Sequence, residues 1–261
     1  MASRADSGEV LHVRLRKGKA NSSRGVLRFA EELIARVARA GATGEKLLRA
    51  DSAFWNKTLM KRLENAGWVF SISIRMQKGV AEQIAGIPET DWITLKDYPK
   101  DGEAQIAETT YGERRMIVRR TRLIGAQAEL WPDWRHFPFL TNRTEPLPVV
   151  EGEHRQHAVV ELTIRDLKDQ ALAHFPSGQF AANSPWTVIA AIAHNLARWT
   201  TVIGLPGQTV RAARTLRRRL LQIPGRLTRS ARQWTLHLPA RWPWQDDFTH
   251  ALTRIRALPA A

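Results

Sequence analysis

Strand-like and helix-like stretches alternate through the first third of the chain, and this alternation most limits the folds open to it. Residues 8–17, GEVLHVRLRK, alternate Val and Leu with polar groups, the period-2 pattern of a half-buried strand. Val26, Phe29, Ala30, Leu33 and Val37 then recur at helical spacing, with Ser22 and Ser23 as caps before them and Gly41 after. KLLRA (46–50) predicts a short strand running into Asp51 and buried between helices. Residues 57–66 predict a helix, 69–76 a strand, and 79–87 a helix that stops before Pro88. Such alternation argues for an α/β fold with a mixed sheet.

From 89 the pattern changes. DWITLKDY, EAQIAETTY, RRMIVRRTRLI and FPFLTNRT are strand-like and are separated by Pro, Gly and Asp turns. The expected organisation is a first core part at 1–88, a β-rich insertion at 89–150, two closing core helices at 151–204 and a basic helical tail at 205–261. Within 151–204, Ser184 and Pro185 predict the start of a helix running to about 203, apolar on most faces and therefore buried. Within the tail, residues 209–222 predict a basic helix and 241–258 a turn into a last helix.

Charge narrows the partners. The 261 residues carry a formal net charge of +15 and a pI near 11.1. That balance favours an anionic partner, with nucleic acid first and an anionic membrane as the rival. The tail from 208 onward holds eleven Arg, no Lys and two acids, Asp246 and Asp247. Arg suits bidentate phosphate contacts. The most apolar run, WTVIAAIAHNLARWTTVIG, is interrupted by His194 and Arg198 and is not a membrane span. No apolar leader opens the chain, and cysteine is absent, which excludes disulfides and thiolate metal sites. The expectation is a cytoplasmic bacterial protein with no membrane partner.

Chemistry concentrates in HRQHAVVELTIRDLK, 154–168. As one helix it stacks His154, His157, Glu161, Arg165 and Lys168 on a single face, beside an apolar stripe of Val160, Ile164, Leu167 and Ala171. A carboxylate flanked by basic groups suits a divalent metal beside a phosphate backbone. Asp51, at a strand end, is its partner candidate. Hard oxygen ligands on separate elements suit Mg²⁺ or Mn²⁺, which activate an attacking oxygen and stabilise a leaving one. The two acids are expected close together on one concave surface. The plainer readings are that Asp51 caps the turn ahead of Ser52 and Asn56, and that Glu161 makes a solvent-face pair with Arg165.

His154 and His157 have no third ligand at zinc spacing, so DNA contact is the expectation for both, together with Arg155, Arg165, Lys168, Arg217, Arg218 and Arg219. His194 reads as a satisfied core histidine. Among ten Trp, Trp131 and Trp134 flank Pro132 and read either as core or as stacking platforms for a base, and Trp186 and Trp199 read as core.

The residues at 154–168 and 47–55 carry a family likeness. The chain resembles bacterial insertion-sequence transposases of the DDE class, whose last catalytic helix bears Tyr-x2-Arg-x3-Glu-x6-Lys. His154, His157, Glu161 and Lys168 fall at those spacings; Glu and Lys match, His stands at the first two positions, and Arg155 offers a cation. LLRADSAFW resembles the second-Asp motif, with Ala53 where Gly is usual. PSGQFAAN and the helix after it are also typical of one subgroup. The resemblance covers about 5–204 and the tail more loosely. It implies a ribonuclease-H-like core, Asp51 and Glu161 as second and third triad acids binding Mg²⁺, and strand cleavage and transfer on double-stranded DNA. The implied DNA is the element's terminal repeats and a target, held by a homodimer. Such a core places three strands before its first helix, and only 8–17 reads as one here. Asp6 precedes that strand in an Asp-Ser-Gly turn. The expectation is an N-terminally truncated copy, inactive alone; the alternatives are a non-catalytic DNA-binding remnant and a basic nuclease of the same fold.

Overall fold

The computed structural model describes residues 1–18, 24–96, 102–123, 133–156, 159–207 and 212–259. The chain divides into two compact units, one formed by Met1–Lys17 with Val159–Ala261 and the other by Gly18–Ala158. In chain order, β1 (Ala2–Ser3) and β2 (Val10–His12) open the first unit. The second unit holds α1 (Val26–Arg39), β3 (Leu47–Ala50), α2 (Lys57–Asn65), β4 (Val69–Ser73), α3 (Lys78–Ala85), β5 (Ile93–Thr94), β6 (Gly102–Tyr111), β7 (Arg114–Leu123), β8 (Arg135–Thr141) and α4 (Leu147–Arg155). The chain then returns to the first unit with α5 (Val159–Lys168), α6 (Phe180–Gly204), α7 (Ala213–Leu216), β9 (Arg226–Ser230), β10 (Gln233–His237) and α8 (Gln245–Arg256).

The Gly18–Ala158 unit is built on a six-stranded sheet of order β3-β4-β8-β7-β6-β5. β3 and β4 are parallel, in the register Leu47↔Val69 to Ala50↔Ile72, because α2 carries the chain back between them. The other neighbours are antiparallel. The fold is thus mixed α/β, consistent with a ribonuclease-H-like core. Met116, Ile117 and Val118 are buried in succession. Neighbouring strand residues point to opposite faces, so both faces of the sheet are covered at β7. Val150 of α4 packs with Ile117 and Phe139 on one of them.

All four strands expected between 89 and 150 are present, at β5 to β8. They do not form a body of their own: β8 pairs directly with β4, and β5 to β8 extend the β3–β4 sheet. The expected boundary at 88/89 therefore falls inside a unit, and the divisions lie near 18 and 159. β3 is an edge strand of half-buried residues, not one enclosed by helices. The expected caps Ser22 and Ser23 lie outside the described residues, and α1 is preceded by Gly25 at φ 76°.

In the other unit the expected strand 8–17 shrinks to three residues, paired with β1 in a two-stranded sheet and not with the six-stranded one. Two strands precede α1, not one. α6 takes up the polar groups of β2. The Asn195 amide accepts from Val10 N at 2.8 Å and donates to Val10 O at 3.0 Å.

α6 begins at Phe180, five residues before Pro185, so Ser184 and Pro185 lie inside the helix. Its burial is also the reverse of the expectation. Thr187, Ala190, Ala191, His194, Arg198 and Thr201 are buried, while Ile189, Ile192, Leu196, Trp199 and Val202 are exposed. The small and polar side is buried because it carries the partners for β2, α5 and α7. Trp186 is half-buried and donates to Ala171 O at 2.8 Å. At Gly204, α6 meets α8 so closely that a Cβ would lie 2.8 Å from the Ala251 Cβ. The tail is not wholly helical. A short turn of α7, a wider turn at Arg217–Leu221, the β9–β10 hairpin and α8 succeed one another. No described helix is long and apolar enough to cross a membrane.

Candidate active site

Asp51 follows β3 directly, one residue beyond the last paired position Ala50↔Ile72. It is exposed. Its Oδ1 accepts from Ala53 N at 2.9 Å, which starts the single helical turn Ser52–Phe54. The capping role read from sequence is therefore realised. An exposed carboxylate at a strand end also remains a suitable hard ligand for a divalent ion.

The stretch 154–168 is not one continuous helix. α4 ends at Arg155 with Gln156 as its cap, and α5 starts at Val159. His157 lies outside the described residues. His154 belongs to α4 and is buried, its ring stacked on Phe139 at 3.9 Å between centroids. Its Nδ1 lies 3.0 Å from the Ser71 hydroxyl and its Nε2 3.2 Å from that of Ser73. That placement is at odds with the expected DNA contact, because a ring held between β4 and β8 does not reach a phosphate. It is instead a strut beneath the end of β4, next to β3, which leads into Asp51. Arg155 pairs with Glu151, Nε to Oε2 3.0 Å. Burial raises the Glu151 carboxyl above its ordinary value, and Arg155 and Arg119 oppose that shift.

In the other unit, Glu161 lies in the first turn of α5 and is exposed, as are Arg165 and Lys168. The buried side of α5 is Thr163, Asp166 and Leu167, whereas Ile164 of the expected stripe is 37% exposed. Asp166 Oδ2 receives Arg198 Nη2 at 2.6 Å and Ala213 N at 3.2 Å. A single carboxylate thus ties α5 to α6 and to the start of α7. Thr163 Oγ1 donates to Gly8 O at 3.2 Å, and His194 Nε2 donates to the same carbonyl at 3.0 Å. Gly8 sits at φ +73°, where a Cβ would meet Thr163 and Arg198. These buried groups hold the backbone that carries Glu161. Of them, only His194 was legible in sequence. Asp166 and Arg198, 32 residues apart, looked like ordinary charges in an amphipathic pattern.

Asp6 is exposed in the turn between β1 and β2, paired with Arg4 at 2.6 Å and capped by Ser7 N at 2.8 Å. Burial acts to raise its carboxyl, but the Arg4 guanidinium and the Ser7 amide outweigh it and hold the group below its ordinary value. Asp51 and Glu161 belong to different units. Among the described residues, no three His, Asp or Glu side chains are grouped as a metal set. The two acids offer exposed oxygen donors of the kind Mg²⁺ takes.

The expected DNA-facing arginines of the tail are presented in part: Arg217 and Arg218 are exposed, and Arg219 is half-buried over Trp244, 5.1 Å from its ring centroid. Trp131 lies outside the described residues. Trp134 is half-buried, with Arg120 and Arg122 each 4.5 Å from its ring centroid. Arg120 is itself sandwiched onto Trp92 at 4.0 Å and held by Glu89. Trp199, expected in the core, is 42% exposed, and its indole donates to Glu9.

Compared with known protein families, residues 4–260 match the family described as Transposase DDE domain group 1. No curated protein matches the chain.

Proposed function

From a chain that belongs to the transposase DDE domain group 1 family, we propose metal-dependent cleavage and transfer of DNA strands at the ends of a bacterial insertion sequence. Transposition acts on DNA, and the net charge of +15 suits that polyanion. Asp51 and Glu161 are the second and third acids of the triad in this reading. The observation that carries it is that both are exposed carboxylates at rigid positions, a strand end and the first turn of a helix.

In this reading Asp51 and Glu161 would each supply a carboxylate ligand for Mg²⁺ or Mn²⁺. Such an ion, when bound, activates the attacking oxygen and stabilises the leaving one. The chain's own residues bind and orient. Arg165 and Lys168 follow Glu161 by one and two turns of α5 and present cations for the phosphate backbone. Arg155, Arg217, Arg218 and Arg219 extend that grip along double-stranded DNA. A homodimer holding both element ends completes the assembly.

The test is nicking of a supercoiled plasmid by the purified chain with Mg²⁺ or Mn²⁺, beside Asp51→Asn, Glu161→Gln and Asp6→Asn. Any metal-dependent nicking by the chain should be abolished in both of the first two variants. Its disappearance in the third as well makes Asp6 the remaining acid. Nicking that survives in Asp51→Asn and Glu161→Gln overturns the assignment. A chain that binds duplex but nicks nothing favours the non-catalytic DNA-binding alternative.

A further inference from the structure

The β9–β10 hairpin stands apart in the first unit. Its two strands pair only with each other among the described residues, in the register Arg226↔His237, Thr228↔Thr235 and Ser230↔Gln233. Ala231 and Arg232 form the turn, both at positive φ, 46° and 65°. That two-residue geometry matches the right-handed strand twist and fixes the register. Alternation then sorts the side chains into two faces. Arg226, Thr228, Ser230, Gln233, Thr235 and His237 share one. The Thr228 hydroxyl lies 2.9 Å from His237 Nε2, which confirms the sorting. The other face holds Leu227, Arg229, Trp234 and Leu236, with Arg229 5.4 Å from the Trp234 ring centroid.

Three properties of the first face point the same way. Every side chain on it can hydrogen-bond, and none is acidic. All but the half-buried Thr228 are exposed. No Asp or Glu occurs anywhere between Asp169 and Asp246, so the hairpin sits in an uninterrupted positive stretch. A free-standing two-stranded hairpin is marginally stable in water, which suits an element ordered further by what it grips. A two-stranded ribbon, its strands about 4.8 Å apart, fits the major groove at about 12 Å but not the minor groove at about 6 Å.

We propose that the 226–237 hairpin enters the major groove of duplex DNA by its polar face and reads base edges. This rests on the reading of the chain as a DNA transposase and adds to it the element that selects sequence. Arg226 lies at the open end and Gln233 beside the turn. Arg pairs with the guanine edge and Gln with the adenine edge. The two lie about four residues apart along the ribbon, about 14 Å or about four base-pair steps. The site read should therefore contain a guanine and an adenine separated by about four pairs. Arg232 at the turn is placed for a phosphate.

The probe is a library of duplexes with a random central segment, selected on the full chain and sequenced. The proposal expects an enriched motif. Arg226→Ala and Gln233→Ala should each flatten preference at a different position, by about 5-fold to about 100-fold. Arg229→Ala, on the opposite face, should leave the motif as it is. Methyl green, which occupies the major groove, should displace the chain, and netropsin, which occupies the minor groove, should not. The same motif in all variants, no motif at all, or displacement by netropsin alone would overturn the proposal while leaving the chain a DNA binder. Failure to bind any duplex would overturn the transposase reading together with it.

Discussion

His194 shows how much one side chain can depend on its surroundings. Its imidazole lies between α6 and the Gly8 carbonyl, with Arg198 and Asp166 nearby. Burial holds it below its ordinary value of 6.5; the bond to Gly8 O opposes this, and the Arg198 charge adds to it. The folded state then binds fewer protons than the unfolded one at mildly acidic pH. Its contribution to stability is present above about pH 6.5 and declines as pH falls toward the depressed value. Urea unfolding at about pH 7.5 and about pH 5.5 should therefore show a larger drop in stability for the wild type than for His194→Gln. Equal drops would mean that the ring titrates alike in both states. The same neighbourhood explains why Asp166 went unread. On sequence alone an acid one residue after Arg165 is a solvent charge, and only the fold brings Arg198 and Ala213 N to it.

At the scale of elements, the sequence was most legible where pattern and length agree. β4, β6, β7, α1, α2 and α8 lie where periodicity placed them, because their buried faces are regular. Legibility failed where tertiary partners override pattern. α6 is hydrophobic on most sides, so its sequence cannot say which side is covered. The covered side turned out to be the one with Asn195, His194 and Arg198, whose polar groups have partners in β2 and α5 and at Gly8. The hairpin is hard to see in sequence because RLTRS lies among the arginines of the tail, and its turn uses Ala and Arg where Asn-Gly would have signalled it. The stretch 154–168 read as one helix because its spacings are helical throughout, yet it ends α4 and begins α5. The turn at Arg217–Leu221 carries a prediction of its own. Arg217 and Arg218 are exposed there, so replacing Arg217, Arg218 and Arg219 by Ala should flatten the log–log salt dependence of DNA binding by about 0.9 for each phosphate no longer neutralised. Titration by fluorescence anisotropy measures this slope. An unchanged slope would make the cluster a packing element, as the stacking of Arg219 on Trp244 already is in part.

At the scale of the whole molecule, the chain is two units assembled from three stretches of sequence, with Met1–Lys17 joined to Val159–Ala261 across an inserted α/β body. The family match spans both units, 4–260, and the two proposed acids are divided between them. Asp51 and Glu161 stood out in sequence through the motif spacing around them, whereas the groups that hold their elements did not. The central proposal is that Asp51 and Glu161 are both metal-binding acids. The electron paramagnetic resonance signal of free Mn²⁺, followed as purified chain is added, tests it most directly, because binding removes that signal. Binding by the wild type should disappear in Asp51→Asn and disappear equally in Glu161→Gln. Binding that survives either substitution would contradict it.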